Sequence, residues 1–545
     1  MLESRVGWLA ACGACALTHQ AHTQAVDEFL RARVEQIRES GVHWVDGSAI
    51  AAANLIPEFY ERREFTPAWT RAAQVDGLVE LVEDSYREGL DTNDYHYAEI
   101  QRARQVLFDD ATLSPARHAD LDLLLTDSLI RAGYHLRFGK VDPEELDPDW
   151  NLDRRLLTDD PVGTVQAAID SQSVMDFKDQ LLPRGVFYAR LKRALAEYRA
   201  IQAAGGWPRL DPGPTLRPGA IDERIAVLAR RLGISGDLAA ASRIFHEDAY
   251  DEALQAAVER FQQRHGLVQD GVVGPATLAA LNVPVEKRID QLRANLERTR
   301  WVFEDIESDF LLVNIAAFRL DLVRGGETVW TTRVQVGLPY RKTPVFKSSM
   351  KYLVFNPTWT VPPTVMRNDI LPLVRQDPGA LARRNISVID AAGEIIDPSR
   401  IDWSASRGVP YRLVQGPGPG NALGQVKFIF PNEQFVFLHD TPSRELFQRP
   451  DRAFSSGCIR VESPLDLAAL LLGGEWSRGR IDEVIRSGRT ETVFLQEPLT
   501  VMLLYWTTEV DDEGRTYFLP DVYDRDQAVI DGLHEPYDPA VLSLR

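Results

Sequence analysis

The stretch Phe435–Glu462, FVFLHDTPSRELFQRPDRAFSSGCIRVE, places the tightest constraint on this chain. Phe435-Val436-Phe437-Leu438 reads as a buried strand that fixes His439 at its end. Nineteen positions later (458 − 439) comes Cys458, within Ser455-Ser456-Gly457-Cys458-Ile459-Arg460. Ser463-Pro464 then reads as an N-cap with proline at the first helical position, followed by Leu465, Leu467, Ala468, Leu471 and Leu472 as an apolar face. Cys458 is thereby expected on a loop just ahead of a helix. The chain has three cysteines, and the other two, Cys12 and Cys15, fall in the N-terminal stretch. If that stretch is a removable leader, one thiol remains with no disulfide partner, a liability in an oxidising compartment unless its reactivity is used. A thiol needs a base and positive charge to react near neutrality. His439 and Arg460 are the candidates for those roles. Gly457 permits a tight turn that aims amide N–H groups at a developing oxyanion.

The pattern His439-Asp440…Ser455-Ser456-Gly457-Cys458-x-Arg460 resembles the YkuD-type L,D-transpeptidase motif, and the form HDT…FSSGCIRVESP is most similar to large periplasmic YcbB-like members. Asp440 stands where many members have Gly or Ser, at a position whose backbone carbonyl is thought to hold the histidine. The resemblance implies acyl transfer: His439 takes the thiol proton, Cys458 attacks a stem-peptide carbonyl, and amides at Gly457 and Cys458 hold the oxyanion. It further implies an L-configured donor centre and inactivation by carbapenems; no cofactor is expected, and no metal, since the ten histidines form no H-E-x-x-H or Cys/His cluster. Arg460 would orient the loop or a substrate carboxylate, or else sit in a structural salt bridge. Ser455, Ser456, Trp359, Asn421 and Tyr340 are assigned to the substrate side. Trp359 lies in NPTWTVPP, similar to another family segment, and lines a cleft or packs in a core. Asn421 belongs to GPGPGNALG, whose prolines lack the N–H groups a phosphate loop needs, so the segment reads as a substrate loop feeding a strand over Val426–Phe430.

The remaining chain fits an α+β multidomain organisation. Residues 1–25 read as a signal peptide, with Leu9-Ala10-Ala11-Cys12 leaving lipidation open, and export to the periplasm follows from it. Amphipathic periodicity over 26–215 gives a helical scaffold domain. Residues 216–284 form a compact helical unit whose FQQRHGLVQDGVVGPATLAALN resembles the peptidoglycan-binding module; its Gly266, Asp270-Gly271 and Gly274-Pro275 end and start helices. A polar linker helix over 285–305 leads into a mostly-β catalytic domain over 306–530. The hairpin Arg324-Gly325-Gly326-Glu327 lies early in that domain, and a capping insertion over 364–413 is implied by the resemblance. The run TVFLQEPLTVMLLYWTTEV reads as a hairpin, and 531–545 as a C-terminal tail. A net charge of −19 argues against a nucleic-acid partner. Peptidoglycan stems, as donor and acceptor, are the implied partners, with other cell-wall synthesis enzymes possible. Ser348-Ser349-Met350-Lys351 matches a serine-nucleophile motif, but the strand-like Tyr352-Leu353-Val354-Phe355 that follows is the wrong context. The rival readings are L,D-carboxypeptidase or endopeptidase action, attachment of an outer-membrane protein to the wall, and a non-catalytic wall-binding scaffold.

Overall fold

The computed structural model describes residues 23–536 except 51, 53, 111, 148–149, 151, 153–159, 171–172, 240–248, 303–306, 378 and 404–410. The leader reading falls almost wholly outside the described residues. Its last positions, 23–25, open a helix that runs to residue 40, and Val26 is buried in the first core.

That core belongs to the scaffold. The helix Pro115–Phe138 threads it with a nearly continuous buried surface, and Leu78, Leu81, Val82, Ile100 and Ile169 pack around. Val529, Ile530 and Leu533 of the helix Asp526–His534 enter the same core. The expected tail therefore starts inside a helix, because its apolar face has a partner in the scaffold.

The module around Leu228, Leu254, Phe261 and Leu281 has its own core. Gln262 explains the FQ…DG signature. Buried, it donates to Asp270 Oδ1, Val272 O and Thr277 Oγ1, and accepts from the amides of Asp270 and Gly271. One side chain thereby satisfies several polar groups of the turn, and Tyr250 donates to the Gly271 carbonyl.

The polar linker helix, Val285–Val302, is not a solvated spacer: Gln291, Asn295, Glu297, Arg298 and Arg300 are all buried. They are paired instead. Glu297 accepts from the Val141 amide and from Arg300, Arg298 meets Asp526, and Asn295 donates to Thr507 and Thr508. Composition alone misleads here, since polar residues stay buried when every charge finds a partner.

The catalytic-domain sheet contains β1 (Phe310–Asn314), β2 (Arg319–Arg324), β3 (Glu327–Gly337), β4 (Phe346–Phe355), β5 (Val426–Ile429), β6 (Leu438–His439), β7 (Ala453–Ser455), β8 (Ile459–Val461) and β9 (Glu491–Leu504). Their spatial order is β7-β3-β8-β6-β5-β4-β9-β1-β2, and β2 also pairs with β3, so the ladder closes on itself. Gly325 and Gly326, both at positive φ, make the two-residue β2–β3 turn, with Arg324 opposite Glu327. Ser348 and Lys351 lie within β4, a strand and not a helix start. The run expected as a hairpin is instead, as far as Leu504, the single long strand β9, paired to β4 with an irregularity between Phe494 and Leu499. Pro498 cannot donate to the ladder, and the irregularity absorbs it without reversing the chain. The hairpin comes later, between Thr508–Val510 and Thr516–Phe518.

Between β4 and β5 the chain builds a separate four-stranded sheet, in the order Trp359–Thr360, Arg412–Gln415, Ile386–Ile389, Ile395–Ile396. Its own core includes Val374, Leu381, Val388, Trp403 and Leu413. This cap begins and ends slightly outside 364–413, because Trp359 and Gln415 pair directly.

Candidate active site

Strand alternation separates two chemistries on the main sheet. Val426, Phe428, Leu438, Ile459 and Val461 point into the apolar core. Their neighbours form a polar row on the other face through consecutive pairings of Gln335 with Arg460, Arg460 with His439, and His439 with Lys427. Cys458 immediately precedes β8, two residues before Arg460, on the side facing Phe437: the Ile459 amide donates to Phe437 O.

His439 is buried, at 4% exposure. Its Nδ1 lies 2.5 Å from the Asp440 carbonyl oxygen. A carbonyl only accepts, so Nδ1 carries the hydrogen and Nε2 of the neutral ring keeps its lone pair. Asp440 is itself pinned. Its Oδ2 accepts from the Gln425 amide at 2.9 Å and its Oδ1 from Arg444 at 2.6 Å, while its own amide donates to Val426 O. Any residue could supply the carbonyl, but the aspartate side chain here fixes its direction.

Burial first, then Arg460 and Lys427, push His439 down to about 3. Burial likewise pushes the Cys458 thiol up, against the lowering influence of the Phe437 amide, Lys427 and Arg460. The resting pair is thus neutral thiol and neutral imidazole. The thiol sits 3.8 Å from Phe435 O.

A stability consequence follows. His439, His135 and His265 all have folded pKa values below the ordinary 6.5, chiefly through burial. The unfolded chain therefore takes up their protons first, and stability held above pH 6.5 is lost as pH falls from 6.5 towards the folded values. Each contributes a slope of up to about 1.4 kcal/mol per pH unit in that window. Urea unfolding at pH 7 and pH 5 is expected to show the loss, and His439→Gln is expected to reduce it by its own share.

The sequence-derived candidates separate in space. Gly457 adopts φ +111°, and its carbonyl accepts from Thr343 Oγ1 at 2.8 Å. Its amide does not face an open oxyanion position: it donates to Ser455 Oγ at 3.1 Å. Ser455 in turn donates to Cys458 O at 2.5 Å, so this buried serine staples the turn and is not placed to meet substrate. Asn421 is also a staple, 1% exposed, donating to Pro357 O and Gly416 O and accepting from the Leu423 amide. Trp359 packs against the cap core. Arg460 donates to Gln335 Oε1 at 3.2 Å and, among the described residues, forms no salt bridge. Ser456 and Tyr340 are exposed. Phe435 lies outside the strand, at φ +54° and largely exposed, because Asn432 Oδ1 takes the Val436 amide and turns the chain.

Three neighbours escaped the sequence reading. Lys427 sits 3.7 Å from the Phe437 ring centre, with its pKa lowered by burial and raised by Cys458. A lysine alternating with buried Val426 and Phe428 was the available signal. Thr343 and Arg341 reach the turn before Cys458 from the loop after β3, and nothing local in the sequence announces them.

Comparison with known proteins agrees with this architecture. Residues 308–485 match the profile of the L,D-transpeptidase catalytic domain (YkuD), 54–195 a scaffold domain, and 230–281 a domain described as "Putative peptidoglycan binding domain". The chain thus carries a YkuD-type L,D-transpeptidase catalytic domain beside a peptidoglycan-binding type of module. A curated relative from Haemophilus influenzae, named "Putative L,D-transpeptidase", is 37% identical over 247 residues, 45% of this chain and 50% of its own, so the match spans half of that relative's length. The crystal structure of an L,D-transpeptidase from Xylanimonas cellulosilytica aligns with 16% identity and a TM-score of 0.16, covering 54% of this chain and 100% of that one.

Proposed function

We propose that this protein is an L,D-transpeptidase that cross-links peptidoglycan stem peptides in the periplasm through a thioester on Cys458. The observation that carries the reading is a neutral histidine with a fixed tautomer on the polar face of a sheet matched by the L,D-transpeptidase profile, in the strand paired with the one that Cys458 immediately precedes. The thiol proton passes to His439 Nε2, and Cys458 Sγ attacks the carbonyl carbon of the L-configured centre. Lys427 and Arg460 favour the thiolate as it forms, and the Cys458 amide faces the oxyanion, Gly457 being engaged with Ser455. The C–N bond then breaks, the leaving D-amino acid takes the proton from His439, and the thioester remains. An acceptor amine attacks it, His439 removes the amine proton, the C–S bond breaks, and the thiol is restored. Peptidoglycan as substrate agrees with the module at 230–281.

Incubation with disaccharide-tetrapeptide tests this. Cross-linked dimer with release of the terminal D-residue is the expected product. Tripeptide alone makes the protein an L,D-carboxypeptidase, and unchanged substrate leaves only a wall-binding scaffold. Either result overturns the proposal.

A further inference from the structure

The loop between β3 and β4 is tied to the nucleophile turn at several points. The Leu338 amide donates to Ser455 O at 3.0 Å, and Thr343 Oγ1 donates to Gly457 O at 2.8 Å while accepting from the Gly337 amide at 2.9 Å. Tyr523 braces it from behind, accepting from the Thr343 amide and donating to Gly337 O. Arg341 stands on this fixed support. Its Nη1 donates to Ser456 Oγ at 2.8 Å, two residues from Cys458, and to Asp369 Oδ2 at 2.9 Å. Nη2 lies 3.5 Å from Asp369 Oδ1. Asp369 comes from the cap, in the π-helical turn Met366–Ile370, a form often found where a helix is adjusted for function. The side-chain exposures are 19% for Arg341 and 46% for Asp369. One member of the pair is held against the catalytic turn, and the other arrives on a separately cored subdomain.

A guanidinium fork is shaped to take a carboxylate through two donors. Of the three cations at the nucleophile, Lys427 lies over the Phe437 ring and Arg460 reaches Gln335, whereas Arg341 already holds a carboxylate. In the proposed reaction the donor stem bears its terminal carboxylate one residue beyond the scissile carbonyl, about 3.5 Å further along the chain. We infer that Arg341 is the receptor for a carboxylate of the donor stem, and that Asp369 occupies that place in the resting enzyme. This rests on the transpeptidase reading and deepens it. A part-exposed pair is weak enough to exchange partners, so substrate arrival and release of the cap's Asp369 become one event.

The test uses full-length protein carrying Cys458→Ser, which binds without turning over, and calorimetry with four tetrapeptide stems. These combine a C-terminal acid or amide with a third residue that is diaminopimelate or lysine, the latter lacking the side-chain carboxylate. Arg341→Ala is expected to weaken binding of the terminal acid about tenfold or more and of the amide less than twofold. Asp369→Asn is expected to tighten the acid several-fold and leave the amide unchanged. If the selective loss follows the third residue instead, the receptor assignment stands and the carboxylate is the side chain's. Equal effects on all four peptides, or none, overturn it, and Asp369→Asn alone decides should Arg341→Ala not fold. Binding by the parent without dependence on Arg341 defeats only this inference, whereas absence of any binding defeats the proposed function with it.

Discussion

Replacing Cys458 by alanine is expected to lower turnover of the disaccharide-tetrapeptide at least about 10⁴-fold, the scale on which covalent catalysts fail when the nucleophile is removed. The folded state is expected to survive. Cys458 is only half-buried, its side chain reaches Phe435 O at a long 3.8 Å, and the turn holding it is fastened through Ser455, Thr343 and the β6–β8 pairing. None of those bonds uses sulfur as the anchoring atom. The melting temperature should therefore move by no more than about 1 kcal/mol of stability implies. Cys458→Ser is the sharper variant, because it keeps size and a proton while the hydroxyl pKa lies far above that of a thiol. His439, held neutral, is too weak a base to compensate. Cross-linking by Cys458→Ala at more than a few per cent of the parent rate would remove the cysteine from the mechanism.

The candidate pair His439 and Cys458 stands out in the sequence because the chemistry proposed for it demands particular residue types within a short span. His439 lies in β6 and Cys458 immediately precedes the adjacent parallel strand β8, and the 435–462 segment holds both. Ser455 and Asn421 lie in the right loops but turn inward, and the sequence reveals only that they are near. Whether a polar side chain faces solvent or staples its own backbone depends on which amides the folded loop leaves unpaired. Lys427 joins the site through a cross-strand register, and Arg341 through a loop more than a hundred residues away. Such pairings have no local periodicity. The linker helix shows the converse. Its polarity suggests exposure, yet Glu297 and Arg300 are buried, paired with each other and with Val141, Glu88 and Tyr188.

Gly424→Ala tests whether the second layer of the site matters as much as the first. Gly424 has φ +62°, a conformation that strains any residue with a Cβ. A Cβ there would also fall inside the van der Waals envelope of Asp440 Cβ, Cγ and Oδ2. These are not the free end of a flexible chain. Asp440 is held by the Gln425 amide next to Gly424, by Arg444, and by its own amide on Val426 O. It can yield only by breaking those bonds, and its carbonyl is what fixes the His439 tautomer. Backbone strain of about 1 kcal/mol and overpacking of about 1–3 kcal/mol should add, because both act on the folded state. The expected result is a loss of about 2–4 kcal/mol in urea unfolding, with kcat reduced about a hundredfold in the fraction that remains folded. Asp440→Gly in the same background separates the two effects. With the Asp440 Cβ, Cγ and Oδ2 all removed the added methyl has room, so stability should partly recover. Turnover should not, since nothing then directs the carbonyl at His439. Full recovery of both would mean that Asp440 fills space and does not position the base.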